Sequence, residues 1–385
     1  MQDQVSLVEK RKISVFIPSL AGGGAERVAI FVADTLDKAG YDVDLVYARA
    51  RGPLAEHSTV KKLGVSLEAV NEMLCLPEMV RYLRQRKPDL VIAMVHSAKI
   101  MAGLARYFAP QTRLAISVHD NLLAPRRYRF WLRRFFGFGL ERRLYRHAVG
   151  THAVSHELEE QVIRLFGIAR QKSFMIYNPI DESDYSSIIP AEHMPLFDRP
   201  VILSAGRLVP QKDHAAMIRS FAASGLAGSC RLVVLGEGPL RPKLERQIRD
   251  LKLENAVAVP GHVPDVRPYL DRACGYALSS RFEGLPLVLL EALRAGLPIV
   301  SYACSCGPAE ILADGKLGCL VQPGDEAGFA RALKEMMDGH GPRPSAQEID
   351  EQLRKFFPDT IRSQYISFVE HCLSQPADRP RGMDR

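Results

Sequence analysis

Short runs of apolar and β-branched residues alternate with amphipathic stretches along nearly the whole chain, and this alternation constrains the fold more than any other feature. The short runs are typical of buried strands, and the stretches between them have the periodicity of helices. Repetition of strand, helix and strand predicts a parallel sheet covered on both faces. In the first half we predict strands at residues 13–18, 43–47, 90–94, 114–118, 150–154 and 174–177.

The second half repeats the alternation, with strands predicted at residues 201–205, 232–235, 257–259, 275–278, 298–302 and 319–321. A polar stretch with several prolines, from Asn178 to Pro200, is typical of a linker. We therefore predict an α/β protein with two doubly wound domains, residues 1–190 and 191–375. Ligands of open parallel sheets bind beyond the carboxyl ends of the strands, so we expect the domains to face each other across a cleft. A last helix, near residues 359–374, is expected to cross back to the first domain.

The composition is that of an ordinary soluble protein, with 47% hydrophobic and 25% charged residues among 385. A net charge of +7 favours an anionic partner, which is nucleic acid, a membrane surface or a phosphorylated substrate. The seven cysteines lack the paired spacing of a zinc site and suit a reducing compartment. The first residues do not follow the order of a signal peptide, and no apolar run approaches the ~18 residues of a spanning helix. We expect a cytoplasmic protein.

Residues 280–298 carry the strongest chemical signal. Pro286 suits the first turn of a helix, and Gly296 followed by Pro298 suits its end, which predicts a helix over about 286–295. A helix start presents unpaired N–H groups and the positive end of the helix dipole, and both favour a bound anion such as phosphate. The residues placed at this start are Glu283 and, with their backbone amides, Gly284, Leu285 and Leu287.

Glu291 lies in the same predicted helix among Leu, Val and Ala residues, and a buried carboxylate is costly without hydrogen-bond donors. Eight positions correspond to about two helical turns, which places Glu283 and Glu291 on broadly the same side. The two carboxylates could therefore grip two ends of one ligand. For either residue alone a simpler interpretation is favoured, in which Glu283 is a loop charge and Glu291 pairs with a nearby arginine. The full pattern favours the ligand.

A second group of polar residues follows the first strand predicted in the second half. Arg207 lies at the end of that strand, and Lys212 lies just before the next helix. Two cations at the cleft suit a diphosphate, because arginine grips two oxygens at once and lysine acts as a point charge. The segment 261–263, after a later strand, could add backbone contacts to the ligand, and we include Val263 among them. We expect no metal, because no Asp-x-Asp motif or cluster of His and carboxylates follows these strands.

In the first half, three glycines at 22–24 lie between the first strand and the next helix, where Gly23 and Gly24 allow a ligand to approach the backbone. The spacing of a dinucleotide-binding fingerprint is absent. His119 ends the fourth strand and could orient a sugar, although a lone histidine is often structural. Asp42 and Asp44 resemble a metal motif, but they alternate within a strand, so outward-facing polar residues are the favoured interpretation.

Residues 126–147 mix arginines with Trp131, Phe135 and Phe136 on a predicted helix. Such a helix suits an anionic membrane surface or a lipid-linked pyrophosphate, which would place the protein at the inner face of the membrane. RNA binding is a further alternative, although nucleic acid is a disfavoured partner. An ordinary amphipathic helix with arginines on its solvent-exposed face is an alternative that we weigh nearly equally with membrane binding.

Together these motifs resemble the retaining family-4 glycosyltransferases of GT-B fold. The resemblance is carried by Glu283 and Glu291, by Gly206-Arg207 with Lys212, and by the segments 22–28, 178–181 and 307–311. It implies two Rossmann-like domains, with the acceptor bound by the first and a nucleotide sugar bound by the second. It also implies transfer to a glycan or lipid-linked acceptor in the synthesis of surface polysaccharide or glycolipid. A UDP-hexose or UDP-N-acetylhexosamine is the expected donor.

The resemblance also implies roles for individual residues. Arg207 and Lys212 bind the donor diphosphate and stabilise the charge of the leaving group without a metal or cofactor, since the nucleotide sugar is a co-substrate. Glu283 contacts hydroxyls of the transferred sugar, and Glu291 holds the ribose. The backbone amides after Glu283 contact the phosphate or the sugar. Gly23 and Gly24 approach the donor phosphate, and His119 lies near the transferred sugar. Members of this family are thought to use same-face attack, so no protein nucleophile is assigned.

Two other functions compete with sugar transfer. A sugar-nucleotide epimerase of the same architecture would also need a diphosphate site, but acid and base residues for it are not found in the sequence. A scaffold that binds membrane or nucleic acid would use the basic helix alone. Dependence on an acceptor separates the transferase from the epimerase, and donor turnover separates both enzymes from the scaffold. We favour the transferase.

Overall fold

A computed structural model describes residues 10–21, 23–49, 52–71, 74–123, 131–182 and 186–377, and for residues 53 and 131–137 it describes the backbone only. The chain forms two compact units. The amino-terminal unit is Met1–Asn178 with Asp359–Arg385, and the carboxyl-terminal unit is Pro179–Pro358. Each unit has its own parallel sheet with helices packed against it, so the predicted α/β fold is confirmed.

The amino-terminal unit is built around a seven-stranded sheet. Its strands are β1 (Lys12–Phe16), β2 (Asp42–Tyr47), β3 (Gly64–Ser66), β4 (Leu90–Met94), β5 (Arg113–Val118), β6 (Gly150–Ala153) and β7 (Ser173–Met175). The strand order is β3-β2-β1-β4-β5-β6-β7, and every pair is parallel. Val15 pairs with Leu45 on one side and with Ile92 on the other, and all three are fully buried because helices cover both faces.

The helices of this unit follow its strands, as the alternation predicts. They are α1 (Gly24–Lys38), α2 (Ser58–Leu63), α3 (Leu76–Arg86), α4 (His96–Ala105), α5 (Trp131–Arg146) and α6 (His156–Phe166). The carboxyl-terminal unit has the six-stranded order β10-β9-β8-β11-β12-β13, again all parallel. Its strands are β8 (Val201–Ala205), β9 (Arg231–Leu235), β10 (Val257–Gly261), β11 (Gly275–Leu278), β12 (Ile299–Tyr302) and β13 (Cys319–Val321).

Eight more α-helices follow in the described part of the chain. They are α7 (His214–Ala223), α8 (Arg241–Asp250), α9 (Arg267–Leu270), α10 (Leu287–Arg294), α11 (Pro308–Ile311), α12 (Glu326–Met337) and α13 (Ala346–Leu353), followed by α14 (Pro358–Ser374), which ends the described fold. The core of the carboxyl-terminal unit includes Ile202, Leu232, Ala277 and Val300, one from each of four neighbouring strands. Within the described residues, none of the helices has both the length and the apolar character needed to span a bilayer.

The predicted strands are all present, with ends that differ by at most two residues. The sequence prediction lacked only β3, whose three residues are too few to show a periodic pattern. Its partner β2 supplies the hydrogen bonds that hold it in the sheet, with Val46 opposite Val65.

The boundary between the units lies after Asn178, not near residue 190 as predicted. The stretch that follows is bound to the carboxyl-terminal unit by hydrogen bonds. Ile180 N–H donates to the Phe356 carbonyl at 2.9 Å, and Arg294 Nη1 donates to the Asp181 carbonyl at 2.8 Å. Polar composition alone does not reveal such bonds, so the linker pattern extended the first domain too far.

The final helix packs on the amino-terminal unit. Tyr365, Phe368 and Cys372 on α14 are fully buried. A Cβ atom on Gly150, at the start of β6, would lie 2.6 Å from Cys372 Sγ, so the absence of a side chain at Gly150 allows the helix to lie directly against the strand. Beyond the helix, Arg113 Nε donates to the Gln375 carbonyl at 2.7 Å.

Candidate active site

In the carboxyl-terminal unit the direction in which strands are added to the sheet reverses between β8 and β11. Loops that leave the carboxyl ends of strands at such a switch point form the usual ligand site of a doubly wound fold. Here they are residues 206–213, after β8, and residues 279–286, after β11. They contain the two strongest candidate motifs of the sequence.

Hydrogen bonds join these two loops along much of their length. Arg281 N–H donates to the Gln211 carbonyl at 2.8 Å, and Gln211 Nε2 donates to the Phe282 carbonyl at 3.0 Å. Ser279 Oγ donates to the Lys212 carbonyl at 2.8 Å. The loops therefore form one surface whose backbone is fixed before any ligand binds. Gln211 and Ser279 are parts of the site that sequence reasoning missed, because their role is to support neighbours and not to carry charge.

An ion pair lies at the centre of this surface. Lys212 Nζ is 2.6 Å from Glu283 Oε1, and the two side chains are 15% and 7% exposed. The backbone of Glu283 is held in turn, since its N–H donates to the Ser305 carbonyl at 3.2 Å. A lysine ammonium has three donors, so the contact with Glu283 leaves two N–H groups for another acceptor. The structure thus brings together two predicted site residues that are 71 positions apart.

Arg207 lies on the same loop but differs in its surroundings. Its side chain is exposed, and within the described part of the chain its guanidinium forms no ion pair or hydrogen bond. The structure therefore joins Lys212 to Glu283, and Arg207 as a second cation for the same diphosphate stays a prediction. A guanidinium without a partner in its own fold is available for an anionic ligand.

The start of α10 has the polarity expected of an anion site. The helix begins at Leu287 with Pro286 as its N-cap, one residue later than predicted, and no side chain caps it. The amides of Gly284, Leu285 and Leu287 find no backbone acceptor among the described residues. Gly307 makes this turn possible, because it has φ +98° and a Cβ there would lie 2.6 Å from Pro286 Cδ. The loop before α11 thus packs directly under the helix start.

Glu291 is the fifth residue of α10, about one turn into the helix, and is half-buried. Burial raises the pKa of the Tyr276 hydroxyl, and the carboxylates of Glu291 and Glu283 raise it further. The charges of both carboxylates therefore act on the same buried phenol. The hydrogen bonds of Arg267, on α9, to Asp265 raise the pKa of this arginine, and the negative charge of Glu291 makes the smallest contribution to the rise. Arg267 is therefore an arginine whose charge interacts with that of Glu291, as the simpler interpretation of Glu291 requires.

His214 is a third residue of this site that the sequence interpretation left out, after Gln211 and Ser279. It is the first residue of α7, is 4% exposed and follows Lys212 by two positions. Burial, and then the Lys212 cation, lower the pKa of His214 to about 4. The ring is therefore neutral at physiological pH and adds no charge beside Lys212. Its position directly after the motif at 206–213 was the available signal.

The other predicted site residues lie farther away or in the other unit. Val263 is buried in the loop after β10, two strands from β8 and so about 10 Å away across the sheet. Gly23 is the N-cap of α1 and Gly24 its first residue, both exposed, whereas Gly22 lies outside the described residues. His119 is buried at the end of β5.

The described residues contain no group of three or more His, Cys, Asp or Glu side chains arranged to hold a metal ion. Asp42 and Asp44 both bind Arg86, at 2.6 and 2.7 Å, on the outer part of β2. The strand interpretation of this pair is confirmed. Of the basic segment, residues 126–130 lie outside the described residues, and α5 continues from Trp131 to Arg146.

Comparisons with known proteins identify the class of enzyme to which this chain belongs, a glycosyltransferase. Residues 22–184 match the family "Glycosyltransferase Family 4", and residues 190–356 match "Glycosyl transferases group 1". The chain belongs to the family-4 glycosyltransferases of GT-B fold. This assignment decides against the epimerase and the scaffold.

Two relatives and one solved structure show the range of the similarity. The chain is 27% identical to N-acetylgalactosamine-N,N'-diacetylbacillosaminyl-diphospho-undecaprenol 4-alpha-N-acetylgalactosaminyltransferase of Campylobacter jejuni, over 95% of this chain and 98% of the relative. It is 24% identical to the amylovoran biosynthesis glycosyltransferase AmsD of Erwinia amylovora, over 90% and 92%. Anabaena Alr3699/HepE in complex with UDP and glucose superposes with a TM-score of 0.78 at 19% identity, over 94% of this chain and 99% of that one. These relatives act in the synthesis of polysaccharides and lipid-linked oligosaccharides.

We predict that acid destabilises the carboxyl-terminal unit through His214. The folded state holds the ring below its usual pKa of 6.5, so the unfolded state binds the proton first, and stability falls as the pH drops from 6.5 towards 4. Between pH 7.5 and 5 this group alone should cost about 2 kcal/mol. In His214→Gln that part of the loss should disappear.

Urea unfolding followed by circular dichroism at both pH values measures the difference. His340→Gln, at an exposed position, is the matched control and should keep the wild-type loss. An equal loss in His214→Gln and in the wild type would contradict the neutral, buried ring.

Proposed function

We propose that this glycosyltransferase transfers a hexose or N-acetylhexosamine from a UDP-linked donor to a glycan or lipid-linked acceptor, with retention of configuration and without a metal. The observation that carries the proposal is the Lys212–Glu283 pair beside the unpaired amides of Gly284, Leu285 and Leu287. One surface thus offers cationic and N–H donors for phosphate oxygens together with an acceptor for a sugar hydroxyl. UDP and glucose in Anabaena Alr3699/HepE support this choice of donor.

The diphosphate has donors on two sides in this arrangement. Lys212 keeps two N–H groups beyond its bond to Glu283, and the exposed Arg207 can turn its guanidinium to the same oxygens. The positive end of α10 adds its dipole. As the sugar departs, charge grows on the phosphate, and fixed donors stabilise that charge more strongly than mobile water does. Two cations and a helix start therefore supply what a metal supplies elsewhere.

The two carboxylates bind the other two parts of the donor, the transferred sugar and the ribose. Glu283 is held at the helix start by Lys212 on Oε1, by Gln211 Nε2 on Oε2 at 3.5 Å and by its own N–H bond to the Ser305 carbonyl, and the remaining lone pairs of its carboxylate can accept from hydroxyls of the transferred sugar. Glu291, about one turn into α10, is positioned for the ribose. Gly23, Gly24 and His119 remain predicted ligand contacts of the amino-terminal unit, and Val263 remains a predicted contact of the nucleotide.

The acceptor is proposed from the relatives, of which one acts on a sugar carried by diphospho-undecaprenol. Such an acceptor lies in a membrane, and α5 offers a surface for it. Arg142 and Arg143 are exposed, whereas the following Leu144 and Tyr145 are buried. This half of α5 is therefore an amphipathic helix whose solvent-exposed face is cationic. Such a helix fits both a membrane-binding surface and an ordinary amphipathic helix, the two interpretations of the basic segment.

We predict that Lys212→Met and Arg207→Ala each lower sugar transfer from UDP-glucose or UDP-N-acetylglucosamine by about 10²–10³, since each removes a donor to the leaving group. Rates are measured in excess EDTA, where the wild type should keep full activity. Lys334→Met, which removes an exposed lysine of α12, is the matched control and should have the wild-type rate. Normal rates in both site variants would contradict the diphosphate assignment, and loss of wild-type activity in EDTA would contradict metal independence.

Glu283→Gln and Glu291→Gln should differ in what they damage. Glu283→Gln removes the sugar contact, so transfer should fall while UDP still binds within about threefold of the wild-type affinity. Glu291→Gln removes the ribose contact, so UDP affinity should itself fall by about tenfold, as expected for one hydrogen bond to a charged group. Calorimetric titration of UDP into both variants tests this division. The reverse order of affinities would overturn it.

Salt-sensitive binding to anionic vesicles through α5 is the last expectation of this function. Each cation near such a surface contributes about 1 kcal/mol. Arg142→Gln with Arg143→Gln should therefore weaken flotation with phosphatidylglycerol vesicles at low salt. The matched control is Lys243→Gln with Arg246→Gln, two exposed cations on α8. Equal flotation of the two double variants would show that α5 is a solvent-exposed helix without a role in vesicle binding.

A further inference from the structure

The loop that precedes α10 rests on the start of the one-turn helix α11. Gly307 is the N-cap of α11, and a Cβ atom there would lie 2.6 Å from Pro286 Cδ and 3.1 Å from Leu285 Cα. The same atom would lie 3.2 Å from the Gly284 carbonyl oxygen. The backbone of residues 284–286 therefore lies directly on Gly307. A shift of α11 towards or away from this loop would move the amides of Gly284 and Leu285.

The helix α11 does not hold its own position. It has four residues, and its backbone hydrogen bonds run from Ile311 N–H to the Gly307 carbonyl and from Leu312 N–H to the Pro308 carbonyl, both at 2.9 Å. So short a helix is not stable by itself, and the last carbonyls of any helix lack an N–H partner within it. Contacts with the rest of the carboxyl-terminal unit must therefore set where α11 lies.

Gln352 of α13 makes such a contact at the far end of α11. Its side-chain Nε2 donates to the Glu310 carbonyl at 2.5 Å and to the Ile311 carbonyl at 3.1 Å. The residue is 6% exposed, so water has little access to these bonds. An amide nitrogen has two protons, and both are used here. One side chain thus binds the last two carbonyls of α11.

The amide of Gln352 is itself held in one orientation. Lys355 Nζ donates to its Oε1 at 2.7 Å. A reversed amide would turn its oxygen towards two carbonyls and its N–H groups towards an ammonium, so donors would face donors and acceptors would face acceptors. The helix that carries Gln352 starts with a capping box of Ser345 and Glu348, and it packs against α10. The contact with α11 therefore has a fixed base.

We propose that Gln352 is a positioning residue for the donor site. Through α11 it sets the position of Gly307 under the loop 284–286, and so the position of the Gly284 and Leu285 amides relative to the donor diphosphate. Gln352 acts from the opposite end of α11, about one helical turn away from Gly307. The inference rests on the proposed function, which places the diphosphate at the start of α10. Donors held in fixed positions stabilise phosphate charge better than mobile ones.

Binding of UDP and of uridine tests the proposal, because uridine lacks the phosphates. Gln352→Met keeps the length of the side chain and removes both donors. We expect the dissociation constant of UDP to rise roughly tenfold and that of uridine to stay within about twofold of the wild type, as calorimetric titration of the full chain will measure. Gln347→Met is the matched control, since Gln347 is an exposed glutamine of the same helix that binds Glu351 at 2.9 Å. It should leave both constants unchanged.

Hydrogen exchange separates a positioning role from general stabilisation. In Gln352→Met, peptides covering residues 282–290 and 303–312 should exchange roughly tenfold faster, because α11 and the loop above it open locally. Peptides from β8 and β9 should keep their wild-type protection. Faster exchange throughout the carboxyl-terminal unit, or equal weakening of UDP and uridine, would overturn the proposal.

A second variant keeps the test decisive if Gln352→Met does not fold. Lys355→Met leaves the two donors of Gln352 in place and removes only the bond that orients them. The dissociation constant of UDP should then rise by about threefold, with uridine again unchanged. An unchanged UDP constant in this variant would refute the role of the oriented amide.

The outcomes distinguish this inference from the proposed function. Equal affinity of the wild type for UDP and uridine would refute the diphosphate site itself. A wild type that prefers UDP, with the same preference in Gln352→Met, would refute the positioning role while the diphosphate site still stood. Selective loss of UDP affinity together with local exchange supports both.

Discussion

The ion pair between Lys212 and Glu283 is the interaction on which the candidate site depends. It joins the loops that leave β8 and β11 at the point where the sheet changes direction, and both partners are largely buried. Removing one partner of such a pair costs about 3–5 kcal/mol, because the other charge remains without compensation. The pair therefore fixes the loops in place while leaving two lysine donors and some of the carboxylate lone pairs for a ligand. A site with fixed donors and little internal motion is suited to stabilising charge on a departing phosphate.

The start of α10 adds a second constraint to the same surface. Its amides have no acceptor among the described residues, and Gly307 lets the neighbouring loop support the turn from below. The helix dipole and the lysine then act on one ligand group. His214, kept neutral by burial and by Lys212, adds no competing charge. Each of these features follows from packing around the switch point and not from the polar residues alone.

The two units share an architecture but use their sheet edges differently. The carboxyl-terminal unit presents a cation, a carboxylate and free amides, which suit a phosphorylated sugar. The amino-terminal unit buries two neutral imidazoles, those of His119 and His152, which hydrogen bonds link to Ser117 and to Tyr365 of α14. This division agrees with a donor that carries the negative charge of the reaction.

Local patterns in the sequence determined the strands, the helix over 287–294 and the candidates Lys212 and Glu283, because side-chain periodicity and turn residues act over only a few positions. The three-residue strand β3 is too short for such a pattern, and the unit boundary after Asn178 depends on hydrogen bonds to distant residues. Tertiary structure alone decided that Lys212 pairs with Glu283, that Arg207 stays exposed and that Ser117 lies between two histidines. These contacts join residues up to 213 positions apart, and their geometry is set by how strands and helices pack, which no local pattern encodes.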